Sequence, residues 1–140
     1  MTDIGNSTNA AATPVSLLIG GPVLKIAPAA DLFEVCAALA GGGVGMLVVA
    51  ANDHVEGVVS ERDVVLALGD RRDPATTRAR HVANTSLVWC DAEATVAEVA
   101  GQMMESYVRH VLVEDDGELV GVVSARDLLG TFATADLDDD

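Results

Sequence analysis

Two nearly identical stretches decide the fold of this 140-residue chain: GVVSERDVV at 57–65 and GVVSARDLL at 121–129. They lie 64 residues apart. The same offset, carried back to residue 23 without a gap, aligns Val49 with Val113. A shared phrase alone could arise by chance, but a gapless register of this length indicates two copies of one structural unit.

Each copy predicts the same order of elements, β-α-β-β-α. The apolar positions of the first helix are Leu32, Val35, Cys36 and Leu39. Their spacing is that of one buried helical face. Asn52-Asp53 and Asp116-Gly117 predict hairpin turns between apolar strands. We predict strands at 23–26, 44–49 and 55–59 in the first copy and at 87–90, 108–113 and 118–123 in the second.

The repeat and the polar stretches divide the chain into segments. We predict a disordered N-terminus at 1–14, a first repeat at 15–69, a linker at 70–78, a second repeat at 79–133 and an acidic tail at 134–140. The strands are apolar on both faces, which favours sheets that are covered on both sides. The predicted fold class is therefore mixed α/β, of the α+β type.

Composition excludes several classes of function. A net charge of −14 argues against binding of DNA or RNA, because such binding needs Lys and Arg on the phosphates. The apolar stretch at 44–51 is far shorter than the ~20 residues of a membrane-spanning helix. No Lys or Arg precedes Lys25, so a secretory signal is not indicated and a cytoplasmic location is expected. Cys36 and Cys90 are predicted to be small buried apolar side chains, with a redox role as the alternative.

A β-α-β-β-α unit that ends in Gly-Val-Val-Ser-x-Arg-Asp, present twice, resembles the CBS domain, named for cystathionine β-synthase. Two such domains in tandem resemble a Bateman module, and the likeness covers roughly 15–133. The resemblance implies two repeats packed through their sheets about a pseudo-two-fold axis. It also implies clefts between the repeats that hold adenosyl ligands such as AMP, ADP, ATP, NAD(H) or S-adenosylmethionine, and a homodimer.

The repeated Ser-x-x-Asp motif has two readings. Ser60 with Asp63, and Ser124 with Asp127, fit a capping box, which satisfies free N–H groups at a helix start. The same helix start can also bind a phosphate, and an Asp carboxylate accepts hydrogen bonds from a ribose diol. The resemblance places the Ser and the Asp on sugar and phosphate. The motif alone leaves both readings open.

Further residues complete the predicted nucleotide site. The guanidinium groups of Arg62 and Arg126 suit a phosphate. The resemblance implies that basic residues at Arg109 and His110 contact phosphate; the alternative is a surface-facing end of a strand with no role in binding. The first copy has Gly45 and Met46 there, so the two sites are predicted to differ. Val23 and Leu87 are the predicted apolar walls of the base pocket.

The sequence predicts no enzyme. It lacks a phosphate-binding loop of the Gly-x-x-x-x-Gly-Lys type, and its histidines and cysteines do not have the spacing of metal ligands. The main hypothesis is a regulatory module that needs no cofactor, binds an adenosyl nucleotide with AMP or ATP favoured, and signals to a separate effector protein. The alternative is a scaffold for dimerisation or interaction whose sites stay empty.

Overall fold

The computed structural model describes residues 10–19 and 22–139, with side chains described up to residue 133. The chain forms two compact units. We call Val23–Leu87 the first-repeat unit, and Val88–Asp140 together with the described part of Met1–Pro22 the second-repeat unit.

The first-repeat unit is one three-stranded sheet with three helices. Its elements are β1 (Lys25–Ile26), α1 (Leu32–Gly42), β2 (Met46–Ala51), β3 (His54–Ser60), α2 (Glu61–Gly69) and α3 (Ala79–Val82). The strand order is β1-β2-β3. β1 is parallel to β2, and β3 returns antiparallel to β2 through the tight turn at Asn52, whose φ of 55° is left-handed.

The second-repeat unit has the same architecture. Its elements are a 3-10 helix (Val15–Leu18), β4 (Trp89–Asp91), α4 (Val96–Ser106), β5 (His110–Asp115), β6 (Glu118–Ser124) and α5 (Ala125–Asp139). The strand order is β4-β5-β6. Lys25 pairs with Val48, and Trp89 pairs with Leu112, so the 64-residue offset holds in the strand register. The mixed α+β fold and the repeated unit are confirmed.

Helix starts and ends follow the sequence signals. Asp31 caps α1 and Thr95 caps α4, each in a reciprocal pair with a glutamate three residues on. Such pairs satisfy two N–H groups that a helix start leaves free. α1 ends at Gly43, whose φ of 63° is left-handed and costs glycine little. The predicted end of the helix in the run of glycines is thus confirmed.

The segment before each first strand packs on the unit of the other repeat. The Val15 N–H donates to the Ala94 carbonyl at 2.8 Å, and the Ala79 N–H donates to the Ala30 carbonyl at 2.7 Å. Position 79 lies 64 residues after 15, and position 94 lies 64 residues after 30, so the two bonds are equivalent. In each bond, a residue at the start of one repeat contacts the other repeat. The sequence repeats at 15–69 and 79–133 therefore do not coincide with the structural units.

Each unit has its own apolar core between helices and sheet. The first core contains Leu32, Val35, Leu39, Leu47, Val49, Val59, Val64, Ala67 and Ala79. The second contains Val15, Cys90, Ala92, Val96, Val99, Met103, Val111, Val113, Val123 and Leu128. Val15 and Ala79 belong to these cores, so the exchanged segments are integral parts of the units.

Some boundaries differ from the predictions. The long strands begin two residues later than predicted, at Met46 and His110. Residues 10–12 are helical, and residues 1–9 of the predicted disordered N-terminus lie outside the described residues. α5 continues to Asp139, through most of the predicted tail. In the part of the chain that the structure describes, no helix has the length and apolarity to cross a bilayer.

Candidate ligand-binding site

Ser60 stands at the junction between β3 and α2. Its backbone is extended, with φ of −111° and ψ of 168°, so it caps the helix without being part of it. The Ser60 N–H donates to Asp63 Oδ2 at 2.8 Å, and the Asp63 N–H donates to Ser60 Oγ at 3.2 Å. The Ser60 hydroxyl also donates to Asp63 Oδ2 at 2.9 Å. The capping reading of the motif is therefore correct for this copy.

Ser124 and Asp127 repeat this arrangement at the start of α5. The Ser124 N–H donates to Asp127 Oδ2 at 2.8 Å, and the Asp127 N–H donates to Ser124 Oγ at 3.1 Å. These bonds hold each carboxylate over the first turn of its helix. Capping does not compete with ligand binding, because a carboxylate has about four lone-pair sites and accepts several hydrogen bonds at once.

The sheet brings the second predicted constellation beside each motif. Met46 pairs with Ser60 across β2 and β3, and His110 pairs with Ser124 across β5 and β6. The residue before each of them contacts the helix start. The Gly45 carbonyl accepts from the Glu61 N–H at 3.0 Å, and the Arg109 carbonyl accepts from the Ala125 N–H at 2.8 Å. Residues that are far apart in sequence thus lie side by side within each unit, and each group is a candidate site.

For four predicted site residues, the structure gives position and exposure but no contact that tests their role. Arg62 and Arg126 lie exposed in the first turns of α2 and α5, next to the capping pairs. Val23 and Leu87 are half-buried and precede β1 and β4. Their roles as phosphate ligands and as walls for a base remain predictions.

Glu61 also lies in this candidate site, and the sequence analysis missed it. A Cβ atom placed on Gly45 would lie 3.2 Å from Glu61 Oε1, so the Glu61 carboxylate occupies the space beside that glycine. The second copy has Arg109 and Ala125 at the two equivalent positions. The sequence did contain a signal for this residue. From Ser to Asp, the two copies of the motif differ only at the second position, which is Glu61 in one copy and Ala125 in the other.

A shallow pocket adjoins Asp63 within the first-repeat unit. Its volume is about 220 Å³. Its lining residues are Asp63, Leu66, Ala67, Asp70, Arg72, His81 and Val82. The pocket lies along α2 and α3, and α3 reaches it only because the segment after the linker folds back on the first repeat. The sequence analysis did not find this pocket, because it assigned that segment to the second repeat.

The two cysteines differ in environment. Cys36 is exposed on α1, so the prediction that it is buried is wrong. Cys90 is buried in the second core, and this burial, together with the nearby Asp91 and Glu114 carboxylates, raises the pKa of its thiol to about 11. Since the thiolate is the reactive form, Cys90 is poorly suited to redox chemistry. Among the described residues, no three His, Cys, Asp or Glu side chains are grouped so as to hold a metal ion.

Known proteins share this repeat. The sequence model of the CBS domain matches the chain twice, at 18–70 and 79–133. The chain belongs to the CBS domain family. CBS-domain proteins are generally regulatory rather than catalytic, and the tandem repeat with its two sheets corresponds to a CBS pair.

Individual relatives support this assignment. Hypoxic response protein 1 of Mycobacterium tuberculosis is 35% identical over 78 residues, which are 55% of this chain and 54% of the relative. The chain thus aligns with about half the length of this curated relative. A CBS domain protein from Pyrobaculum aerophilum, solved in complex with AMP, is 34% identical, with a TM-score of 0.73 over 86% of this chain and 98% of that one. A CBS-domain protein from Agrobacterium tumefaciens is 26% identical, with a TM-score of 0.75 over 84% and 98%.

Proposed function

We propose that this CBS pair is a regulatory module that binds adenosyl nucleotides at its two Ser-x-x-Asp sites and transmits their presence to a separate effector protein. AMP or ATP is the favoured ligand. The observation that carries the proposal is the reciprocal Ser–Asp pair at the start of a helix, formed by Ser60 with Asp63 and by Ser124 with Asp127.

The chemistry of the site suits a nucleotide. Both bonds from Ser60 to Asp63 end on Oδ2, which leaves Oδ1 to accept hydrogen bonds from a ribose diol. The start of α2 or α5 carries a partial positive charge, which favours a phosphate there. Arg62 and Arg126 lie within the same first turns and add a donor fork for phosphate oxygens.

A relative adds independent support. The Pyrobaculum aerophilum protein is 34% identical, matches 86% of this chain and was solved with AMP. Since the two chains share their fold over nearly the full length of that protein, we propose the same class of ligand for this chain. A ligand that binds one conformational state more tightly shifts the population toward that state, and this is how we propose that binding reaches an effector.

Apolar side chains on the last helix of each repeat support a homodimer. Val65 and Leu68 on α2 are exposed, and so are their counterparts Leu129 and Phe132 on α5. Contiguous exposed apolar residues commonly mark a protein interface. We propose a second copy of the chain as the partner, which light scattering on Leu68→Glu and Leu129→Glu variants tests. The variants should be monomeric if these helices form the interface.

A thermal-shift panel on nucleotide-stripped protein tests ligand binding. The compounds are AMP, ADP, ATP, NAD(H) and S-adenosylmethionine, with GMP as the control for the base. A ligand present at 100 times its dissociation constant adds ~2.7 kcal/mol to the free energy of unfolding. We expect a response to adenosyl compounds that GMP does not reproduce, and a weaker response in Asp63→Asn and Asp127→Asn.

A flat response to the whole panel would contradict the proposal. It would favour the alternative, a CBS-pair scaffold with empty sites that acts through dimerisation. The light-scattering experiment then remains informative, since the scaffold also requires the dimer.

A further inference from the structure

We propose that the two sites select different adenosyl ligands according to the charge at the 5′ position. The site at Ser124 takes a 5′-phosphate, whereas the site at Ser60 takes a 5′ substituent that is neutral or positively charged, such as a sulfonium group. This inference rests on the proposed function and names the ligand class of each site.

The two sites have the same backbone frame, so their side chains are directly comparable. In each unit, the residue just before the central strand accepts a hydrogen bond from the first N–H of α2 or α5. These bonds are Glu61 N–H to the Gly45 carbonyl at 3.0 Å and Ala125 N–H to the Arg109 carbonyl at 2.8 Å. Position 45 therefore corresponds to 109, and position 61 to 125, in three dimensions as well as in sequence.

The site at Ser60 carries an additional negative charge. The Glu61 carboxylate lies over Gly45, where a Cβ atom would be 3.2 Å from its Oε1. Because glycine contributes no side chain, the carboxylate lies close to where a side chain at position 45 would begin, and the other copy has Arg109 at the equivalent position. A phosphate approaching the start of α2 meets this carboxylate, while a cationic group there gains an opposite charge.

The site at Ser124 has the reverse composition. Ala125 has no charge, and Arg109 is exposed beside the start of α5. Arg126 and Asp127 have counterparts of the same charge in Arg62 and Asp63, so they do not distinguish the sites. Besides His110 in place of Met46, the site at Ser124 differs from the site at Ser60 by one carboxylate lost and one guanidinium gained, and both of these changes favour a phosphate.

Charge at a few ångströms from a ligand changes affinity measurably. For a pair of unit charges in partly solvated surroundings, we expect about a tenfold change in dissociation constant for each charge removed. The preference also weakens in salt, because exposed charges are screened over ~8 Å at physiological ionic strength.

Calorimetric titrations in single-site backgrounds test the proposal. Asp127→Asn weakens the site at Ser124 so that the site at Ser60 is measured, and Asp63→Asn does the reverse. The probes are AMP, S-adenosylmethionine and uncharged adenosine. We expect S-adenosylmethionine to bind more tightly than AMP at the site of Ser60, and AMP to bind more tightly than adenosine at the site of Ser124.

Charge variants assign the preference to the named residues. Glu61→Gln keeps the size of the side chain and should shift the ratio of the two affinities toward AMP by about tenfold. Arg109→Gly, which reproduces Gly45 of the first copy, should weaken the binding of AMP by a similar factor and leave the affinity for adenosine unchanged. Arg109→Lys, which keeps the charge, should restore most of the AMP affinity.

The outcomes separate this inference from the proposed function. Adenosyl compounds could bind with the same ratio of AMP affinity to S-adenosylmethionine affinity at both sites, or with a ratio that Glu61→Gln and Arg109→Gly do not change. Either result would show that the charge selection is wrong, while the proposed nucleotide-binding function would stand. If no adenosyl compound binds the unmutated protein, both are wrong.

Discussion

Asp63 accepts two hydrogen bonds from Ser60 through a single oxygen atom. The backbone N–H and the hydroxyl of Ser60 both donate to Oδ2, at 2.8 and 2.9 Å. In the described part of the chain, no donor reaches Oδ1. The carboxylate thus stabilises the helix start with one oxygen and leaves the other for the proposed ligand, so substitution can separate capping from the proposed binding.

Asp63→Asn and Asp127→Asn should weaken nucleotide binding more than they weaken the fold. Asparagine keeps a carbonyl oxygen that can cap the helix, so the loss in free energy of unfolding should stay below about 1 kcal/mol. It loses the negative charge, so a ribose diol loses a charge-assisted acceptor and affinity should fall about tenfold or more. Urea unfolding and calorimetric titration measure the two effects.

The Asp→Ala variants at the same positions serve as matched comparisons. They remove the acceptor as well as the charge and should lose both stability and binding. Equal affinities in Asn variants and unmutated protein would mean that the carboxylates only cap their helices.

Gly57→Ala should destabilise the first-repeat unit. A Cβ atom at position 57 would lie 2.7 Å from the backbone oxygen of Asn84, which β3 holds through hydrogen bonds with Val58. Backbone cannot yield as a flexible side chain does, so we expect a loss of ~2 kcal/mol in the free energy of unfolding. Gly101→Ala is the control, since no described atom lies within 4 Å of its Cβ position in α4.

The control should have the opposite sign. Alanine inside a helix is favoured over glycine by ~1 kcal/mol, so Gly101→Ala should stabilise the protein. Denaturant midpoints for the two variants decide the matter, and a stabilising Gly57→Ala would show that Asn84 does not approach β3 this closely.

Cys36 should react with iodoacetamide in the folded protein far faster than Cys90. Cys36 is exposed, whereas Cys90 is buried and the pKa of its thiol is raised from 9.0 to about 11. A shift of this size lowers the thiolate fraction at pH 8 by about a hundredfold, and burial slows the reagent further. Mass spectrometry of timed samples measures both rates, and denatured protein should show similar rates for the two.

The same thiol should make stability depend on pH in the alkaline range. The pKa of Cys90 is raised in the folded state, so the unfolded chain loses this proton first as pH rises. Stability should therefore fall between the ordinary value of 9.0 and about 11. Cys90→Ala should flatten that part of the curve of unfolding free energy against pH. An unchanged slope would mean that other groups cause the alkaline loss of stability.

The repeat made most of the fold predictable from sequence. Helix caps, apolar periodicity and turn residues are local signals, and each acts over a few residues, so the order of elements follows from them. The pairing of the motif with Gly45 and Arg109 also follows, because antiparallel strands place the start of β2 opposite the end of β3.

The exchange of segments was not predictable in this way. Val15 and Ala79 are the first residues of their own repeats, and only a tertiary contact shows that each packs in the other repeat's unit. The position of Glu61 over Gly45 is likewise a side-chain packing event. Periodicity places a residue on a helix face, but it does not say which neighbour its side chain contacts.

Val15→Ala should loosen the second-repeat unit although Val15 lies near the start of the chain. Val15 is fully buried in that unit's core, and its N–H donates a hydrogen bond to the Ala94 carbonyl. Removing its two methyl groups should cost ~2 kcal/mol in free energy of unfolding, whereas Leu17→Ala, at an exposed position, should cost less than ~0.5 kcal/mol. The N–H of Val96 donates a hydrogen bond to the Thr13 carbonyl, so hydrogen exchange should accelerate there. Exchange at Val58, in the first-repeat unit, should not change. Acceleration at Val58 instead of Val96 would mean that the segment packs on its own repeat.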